Sequence, residues 1–180
     1  MKFKPLVSVI MNCYNGEKFL RKSIQSLINQ KYKKWELIFW DNKSTDNSKK
    51  ILNSFKDERI RYFKSKKFTS LYKAKNLAIK KAKGDYIGFL DTDDWWFKKK
   101  LYSQVNLLKK NKKINFIYSN LYRYDQKTKN IKLHFDNKMP NGRITQNLLD
   151  DYKVGILTVL AKKKARRPWI PPAASSARDR

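Results

Sequence analysis

Short apolar runs alternate with longer amphipathic segments through the first 120 residues of the chain. The runs are rich in β-branched and aromatic residues and are bounded by polar ones, which is typical of buried strands. Five strands are predicted in this way, at residues 6–11, 35–40, 60–63, 86–90 and 114–118.

Four amphipathic segments separate these predicted strands. In the first, Leu20, Ile24 and Leu27 fall on one face at helical spacing. We expect Thr45 to cap the second helix and Gly84 to end the third. The four predicted helices span residues 17–29, 46–55, 71–83 and 97–110. Further on, the pattern predicts a hairpin of residues 121–124 with 131–135 and a short helix at 144–151.

Strands that alternate with helices form parallel β-α-β units, so we predict an α/β protein. The expected architecture is three-layer α/β/α and Rossmann-like, with a mostly parallel central sheet. Ligands of such sheets bind beyond the carboxyl ends of the strands. Polar loops follow the first, second and fourth predicted strands, at residues 12–16, 41–45 and 91–94. These three loops are therefore expected to meet at one edge of the sheet.

The third of these loops, Asp91-Thr92-Asp93-Asp94, concentrates negative charge in a chain with 15 acidic and 43 basic residues. Three carboxylates in four positions repel one another unless a positive charge lies between them. A divalent cation held between these oxygens and a diphosphate would supply that charge. The alternative is that Asp94 caps the next helix, which explains one of the three carboxylates.

The net charge of +28 has three interpretations. It can reflect a lysine-biased composition, contact with an anionic membrane surface, or binding to nucleic acid. The chain lacks RNP, helix-turn-helix and zinc patterns, so we expect no nucleic-acid partner. It has no apolar run near the roughly 20 residues of a membrane span. A single cysteine, Cys13, fits a reducing compartment, so a cytoplasmic protein with peripheral contact at the inner membrane face is expected.

The last 16 residues differ in composition from the rest of the chain. Residues 165–180 hold three of the five prolines and four of the nine arginines, and no lysine. We interpret them as a foreign or disordered tail outside the fold, and a proline-rich linker is the alternative. The folded domain is therefore expected to span residues 1–164.

Two stretches of the chain contain the polar loops described above: VSVIMNCYNGEKFLRKSIQSLINQKYKKWELIFWDNKSTDNS and AKNLAIKKAKGDYIGFLDTDDWW. They strongly resemble the family 2 glycosyltransferases, which have the GT-A fold. The resemblance covers about residues 5–120 and depends on three motifs in combination: Y-N-G, D-N-x-S-T-D and D-x-D-D, one after each of three strands. It implies a donor-binding half at residues 5–120 and an incomplete acceptor half at 121–164.

The resemblance also implies which residues contact the nucleotide-sugar donor. Asn12 and Tyr14 match positions that line the base, and Asp41 and Asn42 match a pair in which the second residue contacts it. That second residue is usually aspartate, so Asn42 leaves the identity of the base open. Other interpretations are a packed loop aromatic for Tyr14, a turn residue for Asp41 and a solvated helix residue for Lys75. The full set of implied donor contacts is Asn12, Tyr14, Asp41, Asn42, Lys75, Asn76, Asp91 and Asp93.

By the same resemblance, Asp93 lies near the donor ribose and the metal, and Asp94 or Asp91 completes the contacts with Mg²⁺ or Mn²⁺. Trp95 and Trp96 would form an aromatic floor, either in the core or against the donor. The family transfers a sugar with inversion to a hydroxyl acceptor, using a carboxylate base. Here the acceptor would be a carbohydrate or a lipid-linked sugar of a cell-surface polysaccharide.

No residue of this chain matches the family's catalytic base, so the base is expected to be absent and the chain to be truncated at its C-terminus. Asp150 and Asp151 are a later acidic pair, but we expect them to close the short helix at 144–151. His134 is assigned no role. The alternative function is therefore a nucleotide-sugar-binding remnant without turnover, and a basic nucleic-acid-binding module is a weaker one.

Overall fold

The computed structural model describes residues 4–136, 138–150 and 152–165. Within these residues the strands are β1 (Val7–Cys13), β2 (Trp35–Asp41), β3 (Ile60–Lys64), β4 (Tyr86–Phe89), β5 (Phe116–Ile117), β6 (Tyr122–Tyr124), β7 (Ile131–Leu133) and β8 (Leu160–Lys162). The α-helices are α1 (Glu17–Ile28), α2 (Ser48–Asn53), α3 (Leu71–Lys81), α4 (Lys100–Lys110) and α5 (Thr145–Asp150). Short 3-10 helices span Ile156–Thr158 and Lys163–Ala165.

A six-stranded sheet with the order β3-β2-β1-β4-β8-β5 forms the centre of the molecule. The pairs β3–β2, β2–β1 and β1–β4 are parallel, whereas β8 is antiparallel to both β4 and β5. The predicted mostly parallel α/β sheet is therefore confirmed. A separate antiparallel hairpin of β6 and β7 also agrees with the prediction.

Both faces of this sheet are covered by helices. Every residue of β1 and of β2 is buried, as expected for parallel strands enclosed on both sides. On one face, α1 and α4 pack through Ile24 and Val105; on the other, α3 packs through Ala74 and Ala78. Small alanines allow α3 to approach the sheet closely. This arrangement has the three layers that the sequence predicts.

Two predicted helix boundaries are wrong. The cap of α2 is Asn47, not Thr45, and the backbone N–H of Ser48 donates to Asp46 Oδ1 at 3.0 Å. The fourth helix begins at Lys100 rather than Phe97, whose side chain is 66% exposed and packs against Tyr122. A local hydrogen bond thus replaces the predicted start of α2. An aromatic contact replaces the first turn predicted for α4.

Gly84 is required for close packing and does not end α3. Helix α3 stops at Lys81, and Ala82 after it is already extended. A Cβ atom on Gly84 would lie 2.6 Å from the backbone nitrogen of Ser8 and 2.7 Å from Leu6 O. Any side chain here would push β1 away from the loop that leads into β4.

Strand β8 was not predicted from the sequence, although it pairs with both β4 and β5 in the six-stranded sheet. Leu160 is fully buried between β4 and β5. The region predicted as an acceptor half therefore also contributes a strand to the central sheet. Asp151 and the tail at 166–180 lie outside the described residues. No helix in the described part is long and apolar enough to cross a membrane.

Candidate functional site

The loops that follow β1, β2 and β4 meet at one edge of the sheet, as predicted. Cys13 and Asp41 are paired at the ends of β1 and β2, and the backbone N–H of Asn42 donates to Cys13 O at 2.8 Å. The backbone N–H of Leu90 donates to Ile10 O at 3.0 Å, which places the acidic loop beside the end of β1. The strand order therefore brings three polar loops together.

The first loop contacts both of the other loops, through hydrogen bonds to the second and close packing against the third. Asn15 has a φ of +51°, a left-handed conformation that asparagine tolerates, and its Oδ1 accepts from the Thr45 N–H at 2.8 Å. The Glu17 N–H donates to Asp46 Oδ2 at 2.9 Å. Gly16 lies against the acidic loop, since a Cβ on it would be 3.0 Å from Thr92 Cβ. The three loops form one connected surface.

The acidic loop is held by contacts from two helices. Lys75 Nζ of α3 lies 3.1 Å from Asp91 Oδ1, and Ser23 Oγ of α1 donates to Asp91 O at 3.0 Å. Burial, followed by the charges of Asp93 and Asp91, raises the pKa of Asp94 to about 6, although Lys75 acts in the opposite direction. The carboxylates therefore crowd one another, and a positive charge would stabilise their ionised forms.

Asp94 does not cap α4, because the helix begins six residues later at Lys100 and has Lys99 as its cap. Its backbone N–H instead donates to Asp91 O at 3.2 Å. The capping interpretation of this carboxylate is therefore wrong.

The residues present fit a cation that is shared with a ligand. Within the described ranges, no three Asp, Glu, His or Cys side chains converge to enclose a metal by themselves. Mg²⁺ is commonly bound by one or two carboxylates together with substrate phosphates, so it needs no such protein cage. Asp93 is exposed and Asp94 half-buried, and both supply the oxygen ligands that such an ion prefers.

Two of the residues predicted to contact the base, Tyr14 and Asn12, could still interact with a ligand. The Tyr14 ring is 55% exposed and meets Phe68, which is 59% exposed, edge to face at 4.8 Å. Asn12 donates from Nδ2 to Leu71 O at 3.3 Å, and its buried Oδ1 has no hydrogen-bond partner among the described residues. A buried acceptor without a partner costs free energy that a ligand N–H would recover.

Asp41 and Asn42, by contrast, are already hydrogen-bonded within the protein. Asp41 accepts from the Ser44 N–H at 2.7 Å and from the Tyr62 hydroxyl at 2.7 Å. Asn42 donates to Thr69 O at 2.7 Å and accepts from the Thr69 N–H at 3.2 Å. These contacts position the second loop and the segment that leads into α3.

The remaining predicted donor contact, Asn76, is exposed on α3, and its side chain has no hydrogen bond within the part of the chain that the structure describes. Lys75, the residue before it, reaches the acidic loop. Helix α3 therefore brings one residue of this pair into the site.

A cavity of about 770 Å³ adjoins the acidic loop and was not predicted from the sequence. Trp95, Trp96 and Phe97 line it, and so do Asp93 and Asp94. Trp96 is buried in the core and donates from Nε1 to Leu157 O at 3.0 Å, whereas Trp95 packs edge to face with Tyr124 at 5.5 Å. The Trp95-Trp96 pair is the one sequence signal that could have indicated this cavity.

The fold and the three-loop edge define a class: α/β proteins that bind a ligand beyond the carboxyl ends of parallel strands. The sequence model of Glycosyl transferase family 2 matches residues 8–161. The chain belongs to this family.

Similar proteins agree with this assignment. The chain is 33% identical over 167 residues to the UDP-Glc:alpha-D-GlcNAc-diphosphoundecaprenol beta-1,3-glucosyltransferase WfgD of Escherichia coli. The aligned region covers 93% of this chain and 64% of that relative, so the chain spans less than two thirds of its length.

Solved structures show the same fold. S. aureus TarS 1-349 in complex with UDP-GlcNAc has a TM-score of 0.56 and 26% identity, over 58% of this chain and 31% of that one. The mannosyltransferase PcManGT of Pyrobaculum calidifontis, in complex with GDP-Man and Mn²⁺, has a TM-score of 0.59 and 21% identity, over 65% and 36%. The GT-A expectation is confirmed.

Proposed function

We propose that this protein binds a nucleoside diphosphate sugar and a divalent cation at the three-loop edge and transfers the sugar to a hydroxyl acceptor. The observation that carries the proposal is the convergence of Tyr14, Asn12 and the Asp91–Asp94 loop at one edge of the sheet, with Asn12 Oδ1 unpartnered among the described residues. The E. coli relative, which is named for a UDP-Glc donor, supports the choice of donor class.

Each part of the site has a role in this proposal. Tyr14 flanks the base, and Asn12 Oδ1 accepts a hydrogen bond from it. Lys75 faces the diphosphate from its position beside Asp91, 3.1 Å away. Asp93 and Asp94, with Asp91, hold Mg²⁺ or Mn²⁺. When bound, such an ion neutralises negative charge that develops on the leaving nucleoside diphosphate.

Asp41 and Asn42 support donor binding by holding the second loop in place, through the bonds to Tyr62 and Thr69 described above. Asn76 remains a proposed donor contact at the exposed side of α3. We propose transfer by a single displacement with inversion, the outcome that the resemblance to the family implies. An acceptor in the cavity beside Asp93 and Asp94 would lie next to the metal end of the donor.

The proposed acceptor is a lipid-linked carbohydrate of a cell-surface polysaccharide. The name of the E. coli relative specifies a sugar on a diphosphate lipid, which supports this choice. An acceptor in the membrane and a net charge of +28 support a cytoplasmic protein at the inner membrane face.

A second candidate function is donor binding without turnover. Among the described residues, Asp93 and Asp94 are the only carboxylates that line the cavity, and both are proposed metal ligands. A general base for the acceptor hydroxyl is therefore not evident there. Release of nucleoside diphosphate from the bound donor, above the rate in buffer, would exclude this second function.

Calorimetric titration with a panel of nucleoside diphosphate sugars, with and without Mn²⁺, tests donor binding. We expect metal-dependent binding that weakens about tenfold or more in Asp93→Ala. Glu58→Ala is the matched control. Glu58 is an exposed carboxylate just before β3, so it lies at the amino ends of the parallel strands, away from the three loops. Binding that ignores Mn²⁺, or that both variants weaken equally, would refute the proposed site.

A further inference from the structure

Lys100, the first residue of α4, projects its ammonium group into the cavity beside the acidic loop. Its Nζ donates to Gln104 Oε1 at 2.8 Å and lies 4.1 Å from the centre of the Trp96 ring. Gln104 is fixed in turn by a bond from its Nε2 to Thr158 O at 2.7 Å. Lys100 is therefore a positioned cation and differs from the solvated lysines of the surface.

Lys100 has no ionic partner among the residues that the structure describes. In the part of the chain that the structure describes, the ion pairs are Arg59–Asp57, Arg61–Glu36 and Lys75–Asp91. Burial lowers the pKa of Lys100 to about 7, which is the expected response of an ammonium group removed from water. An anion bound in the cavity would stabilise its charged form.

Lys22 brings a second ammonium group to the same cavity from α1. Its Nζ lies 3.3 Å from the centre of the Trp95 ring and 5.1 Å from that of Tyr124. Cation–π contacts of this kind hold a lysine in place while leaving its N–H groups free to donate. Two cations from different helices are thus held against adjacent tryptophans.

The cavity continues into an open groove along α1. Phe19, Lys22 and the segment 95–97 line both spaces. Five cations and no carboxylate line the groove among the described residues; they are Lys18, Arg21, Lys22, Lys33 and Lys98. The local charge therefore changes from acidic at Asp93 and Asp94 to strongly basic along α1.

We propose that the cavity binds the acceptor and that Lys22 and Lys100 contact a phosphate or diphosphate attached to the accepting sugar. This inference rests on the proposed sugar transfer and names the chemistry of its acceptor. Aromatic walls suit the faces of a sugar ring, whereas positioned ammonium groups suit phosphate oxygens. The carboxylates beside them would repel an anion, so the phosphate lies toward the two lysines and the sugar hydroxyl toward the metal end.

The test compares two soluble acceptor probes in protein saturated with UDP and Mn²⁺, which blocks the donor site. One probe is N-acetylglucosamine diphosphate with a short alkyl chain, and the other is the matching alkyl glycoside without phosphate. We expect Lys22→Met and Lys100→Met each to weaken calorimetric binding of the first probe about tenfold, because a charge-assisted hydrogen bond is lost. Binding of the glycoside and of UDP should be unchanged.

Lys110→Met is the matched control, since Lys110 is an exposed lysine in the last turn of the same helix. Equal effects of Lys22→Met and Lys100→Met on both probes, or none on the phosphate probe, would overturn the inference. So would a loss confined to binding of phosphatidylglycerol vesicles, which would assign the lysines to a bilayer surface. If UDP itself does not bind, the proposed function fails. If UDP binds normally and neither lysine substitution changes binding of the phosphate probe, this inference alone is refuted.

Discussion

At the residue scale, the polar side chains of the three loops divide into those already bonded and those available to a ligand. Asp41 and Asn42 use their oxygens within the protein. Tyr14 keeps an exposed ring, and Asn12 Oδ1 has no partner among the described residues. The resemblance in sequence implies that all four are donor contacts, and the structure adds that two of them also have hydrogen-bond partners within the protein.

Tyr14→Ala is expected to weaken binding of UDP about tenfold, and Tyr14→Phe to preserve it, because stacking on a base depends on the ring. Calorimetry of UDP binding in Mn²⁺ measures the effect. Tyr102→Ala is the control, since Tyr102 is a half-exposed tyrosine on α4. A normal affinity in Tyr14→Ala would show that the ring only packs against Phe68.

Glu36 is a buried carboxylate on β2 with several partners. It accepts from Ser8 Oγ at 2.5 Å and from the Lys83 N–H at 2.6 Å, and it pairs with Arg61 at 2.6 Å. Burial alone would raise the pKa of Glu36, but these hydrogen bonds and the Arg61 charge lower it below its usual value. Its ionised form is therefore stabilised by folding.

A depressed pKa in the folded state means that this stabilisation is present above the unfolded pKa and is lost as the pH falls through the folded pKa. We expect Glu36→Gln to cost about 2–3 kcal/mol in the free energy of unfolding near neutral pH and the loss to shrink in acid. Urea unfolding at several pH values measures it, with Glu58→Gln as the exposed control. If Glu36→Gln lowered the free energy of unfolding by the same amount at every pH, that result would contradict the account.

At the element scale, the sequence predicts the strands that long apolar runs specify. It does not predict elements or boundaries that depend on tertiary contacts. β1, β2 and β4 were predicted within two residues, because continuous apolar runs suit strands buried on both faces. β8 has only three residues and precedes two more lysines, so its pattern is too short to recognise. The start of α4 also depends on a tertiary contact, between Phe97 and Tyr122.

The same distinction applies to the site. The acidic loop and Tyr14 were recognisable from motifs, whereas the cavity with Lys100 was not. Lys100 is one of several consecutive lysines in the sequence, and only its contacts with Trp96 and Gln104 separate it from its exposed neighbours.

Strand β8 should contribute substantially to stability although it is short. Leu160 is fully buried, so Leu160→Ala is expected to cost about 2–4 kcal/mol in the free energy of unfolding. Chemical denaturation measures the loss. Leu149→Ala is the control, because Leu149 is 76% exposed, and a similar cost for both variants would contradict the contribution of β8 to the core.

At the scale of the whole molecule, 43 basic and 15 acidic residues make self-repulsion a general cost to folding. Salt screens such repulsion between exposed charges. We expect Tm to rise by about 2–5 °C as NaCl increases from about 20 mM to about 300 mM. Calorimetric scans at constant pH measure it, and a Tm that falls with salt would mean that attractive pairs dominate instead.

The whole fold brings together loops that lie far apart in sequence, so the most direct measurement is the position of the metal and nucleotide in a crystal. Crystals grown with UDP and Mn²⁺ should show an anomalous manganese peak about 2.2 Å from a carboxylate oxygen of Asp93 or Asp94, with a UDP phosphate in its coordination sphere and the base beside Tyr14. Manganese and UDP bound away from the acidic loop would contradict the account.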